Sequence, residues 1–135
     1  MATSKTKTII NSNIQQVWKT ILDIDNYSTW RSDINNIKII NEKQFIEYTN
    51  GSCYTLFTTT NIEEYKRWEF DVDSRKVEGH WIGIFTSKGD KTEINFIEYV
   101  NAKKFYLQPF LKFYLKKQQK QFVKDLKKYL IQKNL

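Results

Sequence analysis

From about Pro109 to Gln132 the apolar residues Leu111, Leu115, Phe122, Leu126 and Leu130 recur at steps of four or seven, the spacing that lines up one face of an α-helix. About two dozen residues rising about 1.5 Å each span roughly 36 Å, enough to cross a small domain. Pro109 suits the first helical turn, where its missing N–H is not needed, so the helix is predicted to begin there. Ala102 to Leu107 reads as either a separate helical turn or a kinked extension. Near the other end of the chain, Ile14, Val17, Trp18, Ile21 and Leu22 mark a shorter one-sided helix, with Asn11 or Asn13 placed to cap it. Thr6 to Ile10 is a strand candidate before it, and Asp25 to Trp30 has room for one more helical turn after it.

Between Ile34 and about Asn101 the period changes to two. Ile37 to Ile40 and Gln44 to Tyr48 are strand candidates, and Asn50-Gly51 is a hairpin turn signal. Tyr54 to Thr60 is rich in threonine and aromatic residues. Tyr65 to Asp73 sets Trp68, Phe70 and Val72 on one side against Arg67, Glu69 and Asp71 on the other, the alternation of a half-buried strand. Val77 to Thr86 and Thr92 to Val100 follow, separated by a turn at Gly89. The order is strand, two short helices, six antiparallel strands and one long amphipathic helix, an α+β fold in one domain over residues 1–135. A sheet of this size must cover its apolar face, and the last helix is the element large enough to do so. A curved antiparallel sheet wrapped around that helix is expected, with a cavity lined by both.

Charge changes the picture of the helix. The chain carries a net +7, but residues 103–135 hold ten lysines against the single acid Asp125, while residues 1–102 hold twelve basic and fourteen acidic residues. A solvated helix face explains the lysines most simply. The competing readings are weak association with an anionic membrane surface or a partner protein, and nucleic acid, which fits least because no glycine-rich loop or arginine-based reading motif accompanies them. No nucleic-acid partner is therefore expected, and the sequence specifies no oligomeric state. Lone Cys53 forms no internal disulfide, and no cysteine and histidine set has metal-ligand spacing, so neither metal nor cofactor is expected. With neither a secretory signal nor an apolar span at the N-terminus, a cytoplasmic protein is the expectation.

Several stretches carry a resemblance. Val17-Trp18, the run Asp25-Asn26-Tyr27-Ser28-Thr29-Trp30, Gly79-His80-Trp81 and the long last helix together resemble the START-like or SRPBCC superfamily, the helix-grip (START/Bet v 1-like) domains that include polyketide cyclase-like proteins, and in particular its small bacterial members. Tyr27 to Trp30 is similar to the Tyr-Pro-x-Trp stretch common in that family, with Ser28 in place of proline. The resemblance covers almost the whole chain. It implies an apolar pocket between sheet and C-terminal helix that binds lipids, polyketides or other small hydrophobic molecules. In that arrangement the candidate ligand contacts are Trp30 at the mouth, Phe57, Trp68, Phe70, Trp81 and Phe96 on strands, and Phe110, Phe113 and Phe122 on the helix. The same rings could equally fill a core.

Catalytic candidates are few. His80 could act as a base only if it faces the cavity, and on a strand only one of His80 and Trp81 can do so; a polar or hydrogen-bonded surface role is expected. Cys53 is expected to be a small buried thiol rather than a nucleophile. Glu98 interrupts the alternation Ile94, Phe96, Val100; the set Asn95, Ile97 and Tyr99 is equally plausible as the inner face, and an outward Glu98 is expected. Were it inward, desolvation would raise its pKa and keep it neutral. Non-catalytic binding of a small hydrophobic ligand is the leading reading. A cyclase/dehydrase-like or hydrolytic enzyme in the same cavity is the alternative, and an adaptor working through the lysine face is the second.

Overall fold

The computed structural model describes residues 1–49 and 53–133. The Asn50-Gly51 turn lies outside the described residues. Strand β1 (Ala2–Ile10) leads into helix α1 (Ile14–Leu22) and a 3-10 turn (Ile24–Thr29). Six strands follow: β2 (Asn36–Ile39), β3 (Gln44–Tyr48), β4 (Tyr54–Glu63), β5 (Arg67–Ser74), β6 (Val77–Lys88) and β7 (Lys91–Ala102). A short 3-10 turn (Phe105–Leu107) then precedes helix α2 (Gln108–Lys133). Among the described residues the strands form one antiparallel sheet in the order β1-β7-β6-β5-β4-β3-β2. The meander closes on itself in sequence terms, because β1 from the start of the chain pairs with β7 from its end.

Local chemistry accounts for the element ends. The side chain of Asn13, not Asn11, caps α1, its Oδ1 accepting the Gln16 backbone N–H at 2.9 Å. Between β4 and β5 the expected strand start at Tyr65 gives way to a turn. Lys66 N–H bonds the Glu63 carbonyl at 2.9 Å, and Tyr65 takes a positive φ of 65° with its ring edge-on to Trp18. A three-residue connection needs one left-handed residue, and Tyr65 supplies it in place of a strand position. Pro109 falls in the first turn of α2, where it breaks no helical bond, and Ala102 to Leu107 resolves into the end of β7 and a separate 3-10 turn.

The concave face follows from cross-strand register, since directly paired residues project to the same side. One row runs Phe70, Trp81, Glu98, Ser4 and the next runs Trp68, Gly83, Phe96, Thr6. Gly83 has no side chain because a Cβ there would come within 2.5 Å of the Trp81 indole, which lies across it. Helix α2 turns Leu111, Leu115, Gln119, Val123, Leu126 and Leu130 to the interior. Its C-terminal half joins the main core with α1, Phe45, Trp68, Phe85 and Ile94, and its N-terminal half packs Leu111 and Leu115 on Ala2 and Val100.

The segment after the first 3-10 turn is anchored by charge. Arg31 Nη1 lies 2.6 Å from Glu47 Oε2, and its Nη2 and Nε lie 2.8 and 3.1 Å from the two oxygens of Asp33. The guanidinium also sits 5.2 Å from the ring centres of both Tyr27 and Phe122, a position where the ring faces attract a cation. Burial raises the Glu47 carboxyl against the pull of Arg31, while Glu47 and Asp33 more than offset desolvation to keep Arg31 charged. Removing one member leaves a buried charge without a partner. Arg31→Met should therefore lower unfolding free energy by about 3–5 kcal/mol, and adding Glu47→Leu should recover most of that loss. Urea unfolding of both variants checks the pair: equal losses in the single and double variants would show that the ion pair is not what holds this segment.

Candidate functional site

Seven of the nine predicted aromatic contacts meet in one cluster. Phe70 stacks on Trp81 at 4.5 Å, Trp81 meets Phe96 at 5.0 Å, and Phe96 meets Phe122 at 5.4 Å; Phe122 in turn meets Trp30 at 5.4 Å. Trp68 and Phe57 join through Phe70 at 4.8 and 5.2 Å. The rings fill the space they were expected to line. Trp30 is buried and stacks on Tyr129, over the C-terminal half of α2, so it stands at no mouth and is far from the start of that helix. Among the described residues a groove of about 230 Å³ beside Leu22, Ile24 and Phe45 borders this cluster through Phe45, which stacks on Phe57 at 4.8 Å, and another of about 100 Å³ lies beside Ile10 and Leu130.

Phe110 and Phe113 do not belong with the other seven. They are 71% and 79% exposed, because residues 111, 115, 119 and 123 face the sheet and place 110 and 113 on the far side of the helix. Cys53 is exposed rather than a buried thiol, since it precedes β4 at the end of the sheet, beyond the core. His80 lies on the convex face, opposite Trp81, with Nδ1 2.8 Å from Asp71 and Nε2 2.9 Å from Glu69. Partial burial works against its charge, but the two carboxylates outweigh that and raise its pKa. The hydrogen bonds from His80, Arg67 and Asn61 hold Glu69 at about 2. This imidazole is occupied and outside the grip, so it is not a base for anything bound within it.

Glu98 reverses the expectation. It pairs with Trp81 on one side and Ser4 on the other, which puts its carboxyl on the concave face with Phe96. Each alternation along β7 mixes apolar residues with polar ones, Ile94, Phe96 and Val100 with Glu98 and Ile97 and Tyr99 with Asn95, so periodicity does not choose between them; register does. Here the helix presents a polar residue. The hydrophobic stripe of α2 skips from Leu115 to Phe122, and the buried position between them is Gln119. Its Oε1 accepts from Ser4 Oγ at 2.9 Å and Thr6 Oγ1 at 2.7 Å, which turns its Nε2 towards the Ser4 carbonyl, 3.2 Å away, and towards Glu98. Desolvation raises the Glu98 pKa to about 7, the Gln119 bond opposing it and the Glu47 charge adding to it. Among the described residues no cation pairs with Glu98.

Around this carboxyl the packing is looser than elsewhere. Inward-facing Phe57, Val72 and Gly79 are half-buried, as is Glu98 itself, whereas Trp68, Phe70, Trp81 and Phe96 in the adjoining rows are buried. Tyr114 of α2 stands close by: burial raises its phenol, and the charges of Asp33, Glu98 and Cys53 act on it in the same direction. An apolar wall and a carboxyl whose pKa burial raises to about 7 thus meet on this part of the concave face. Such a set can hold an apolar body and hydrogen-bond one oxygen.

No family profile and no curated protein sequence matches the chain. Its fold, by contrast, is well represented among solved structures. A START superfamily protein from Mycobacterium smegmatis superposes with a TM-score of 0.89 at 12% identity, over 98% of this chain and 99% of that one. The Zhui aromatase/cyclase from a Streptomyces species superposes at 0.84 and 6% identity, over 94% and 92%. The di-domain aromatase/cyclase BexL superposes at 0.79 and 9% identity, over 94% of this chain and 45% of BexL. The chain has the START/SRPBCC-like helix-grip fold.

A carboxyl raised by burial destabilises the folded state once it must ionise. The effect is absent below the unfolded-state pKa near 4.5, grows as pH rises towards about 7 and is complete above it. Glu98→Gln should accordingly raise unfolding free energy at pH 8 by about 1–2 kcal/mol, allowing for partial solvent access, and change it little at pH 5. Urea midpoints measured across that range test this, and a pH-independent difference between wild type and variant would contradict it.

Proposed function

We propose that the protein binds a small, largely apolar molecule carrying a hydrogen-bond-accepting oxygen, in the part of the grip between α2 and the concave ends of β4 to β7, without transforming it. The observation that carries this reading is Glu98, an inward carboxyl with no cationic partner. Folding gains nothing from an unneutralised acid in an interior, and groups kept at such cost concentrate where ligands are handled. Held neutral below pH 7, it donates a hydrogen bond to a carbonyl or hydroxyl oxygen, while Phe57, Val72 and Trp81 supply the apolar wall. The START-like fold and the aromatase/cyclase neighbours support a hydrophobic ligand of the lipid or polyketide kind. Since the rings occupy the centre of the grip, a ligand larger than a single ring system would enter by displacing Phe57 or Phe122 from the positions they hold here.

The enzyme alternative draws on the same group. A carboxyl near pH 7 is suited to general acid–base work, and a cyclase/dehydrase-like or hydrolytic reaction would use it to polarise a ketone or ester. What disfavours it is the position of His80, held by Asp71 and Glu69 on the other face of the sheet.

The test is a titration with the aromatic ketone acetonaphthone, followed by tryptophan quenching, beside native mass spectrometry of protein purified without detergent. Wild-type affinity should be constant below pH 6 and fall about tenfold per pH unit above 7, as Glu98 loses its proton. Glu98→Gln, which keeps a donor, should bind with no such fall; Phe122→Glu should abolish binding; His80→Ala should leave it intact. Equal pH dependence in wild type and Glu98→Gln would remove Glu98 from the site. Conversion of the ketone or of a related ester that disappears in Glu98→Gln would establish the enzyme instead.

A further inference from the structure

The outward face of α2 is divided along its length. In its first two turns it presents Phe110 and Phe113, and the 3-10 turn just before it adds Phe105 and Tyr106, 87% and 56% exposed, with their rings edge to face at 5.9 Å. Met1 is also exposed and precedes Ala2, which packs against Leu111 at this end of the helix. Single exposed apolar residues mean little, but four exposed aromatic rings within nine residues are unusual. None of the four helps to bury the sheet, since Leu111 and Leu115 do that here.

Lysines surround the rings. Lys103 and Lys104 precede them, Lys112 lies between Phe110 and Phe113, and Lys117, Lys120, Lys124 and Lys128 continue the same outward stripe down the helix, all exposed. Beyond Lys103, which reaches Asp73 at 2.6 Å, none of these is in an ion pair with a described residue. Aromatic side chains favour the boundary between headgroups and acyl chains, and lysines beside them gain from a negative surface. No helix among the described residues is long and apolar enough to cross a membrane, so the pattern is one of lying on a surface.

From this geometry we infer that the start of α2 is a membrane-docking surface: Phe105, Tyr106, Phe110 and Phe113 enter the headgroup region of an anionic bilayer, and the lysine stripe holds the helix along it. The occupant is a lipid surface rather than a protein because the charge around the rings is of one sign along some four turns, complementing a uniformly anionic plane. This docking is independent of what the grip binds.

Co-sedimentation with phosphatidylcholine vesicles, with and without about 30% phosphatidylglycerol, tests it at low salt and at about 0.5 M salt, where the screening length shrinks to a few ångströms. The protein should pellet with the anionic vesicles only and be released by salt. Phe110→Ser with Phe113→Ser should weaken partitioning about tenfold or more. Lys117→Gln, Lys120→Gln and Lys124→Gln should each weaken it up to about fivefold. Far-UV circular dichroism should be unchanged in all of them, because every residue altered is exposed. Failure to bind anionic vesicles at low salt overturns the inference, as does equal binding to neutral ones. Unaltered binding by the phenylalanine double variant overturns it too, leaving only diffuse charge attraction. If that variant instead converts a self-associated protein to monomers while neither form binds vesicles, the surface belongs to a second copy of the chain and the inference also fails.

Discussion

One helix must cover one face of a seven-stranded sheet, and it is too narrow to do so. Seven strands at about 4.8 Å spacing span roughly 29 Å, whereas a helix with its side chains is about 10 Å across. Helix α2 lies along β1 and β7, where Ala2 and Ser4 are small enough to let it approach. The faces of β3 to β6 must be covered otherwise. Curvature brings them over the helix, α1 and the first 3-10 turn close one end, and large rings fill the middle. The opposite end, around Phe57, Val72, Gly79 and Glu98, is where these devices stop short, and its half-buried side chains follow from that geometry.

The interior polar groups show which parts of this arrangement are structural. Asp125 of α2 accepts the Ser32 N–H and hydroxyl, each at 2.9 Å, and a bond from Gln121, clamping the helix to the loop that carries Arg31. Arg31, Glu47 and Asp33 neutralise one another. Gln119 has its acceptor filled by two hydroxyls from β1. Among the described residues every buried side-chain nitrogen and oxygen has a partner. Glu98 differs in kind, because a hydrogen bond from an amide satisfies an oxygen without balancing its charge. The other polar groups explain why the loop and helix stay in register with the sheet. Nothing in the packing requires an acid at position 98.

Periodicity made the element order legible, since each period has one physical cause: Leu111 to Leu130 could only be a helix face, and Trp68, Phe70 and Val72 only a strand face. Orientation was legible only where the two faces of an element differ. Along β7 they do not, so Glu98 needed its partner Trp81 to show which side it takes. The helix stripe held a clue in its gap, as a skipped turn in an otherwise regular pattern marks a buried polar residue, here Gln119. The placement of Phe110 and Phe113 was readable from phase, for neither falls in step with Leu111 and Leu115. Aromatic character, the property that suggests a cavity lining, does not distinguish a ring that fills a core from one that faces water. The position of Trp30 is illegible for a different reason: its contacts with Phe122 and Tyr129 join segments more than ninety residues apart, beyond any local pattern.

Helix α2 is where the interior and exterior of the molecule are coupled. Its inner face ends the grip with Gln119 against Glu98, and its outer face, half a turn away, carries the rings and lysines. Near its C-terminal end the helix is held by Asp125 and Leu126 to the Ser32 loop and the ring cluster, whereas its N-terminal turns pack on Ala2 and Val100. Those turns bear Tyr114 towards the looser end of the grip and Phe110 and Phe113 towards solvent. The two sides of the molecule thus differ in charge, because the lysine stripe covers the helix while the convex face of the sheet carries the carboxylates of Glu69, Asp71 and Asp73.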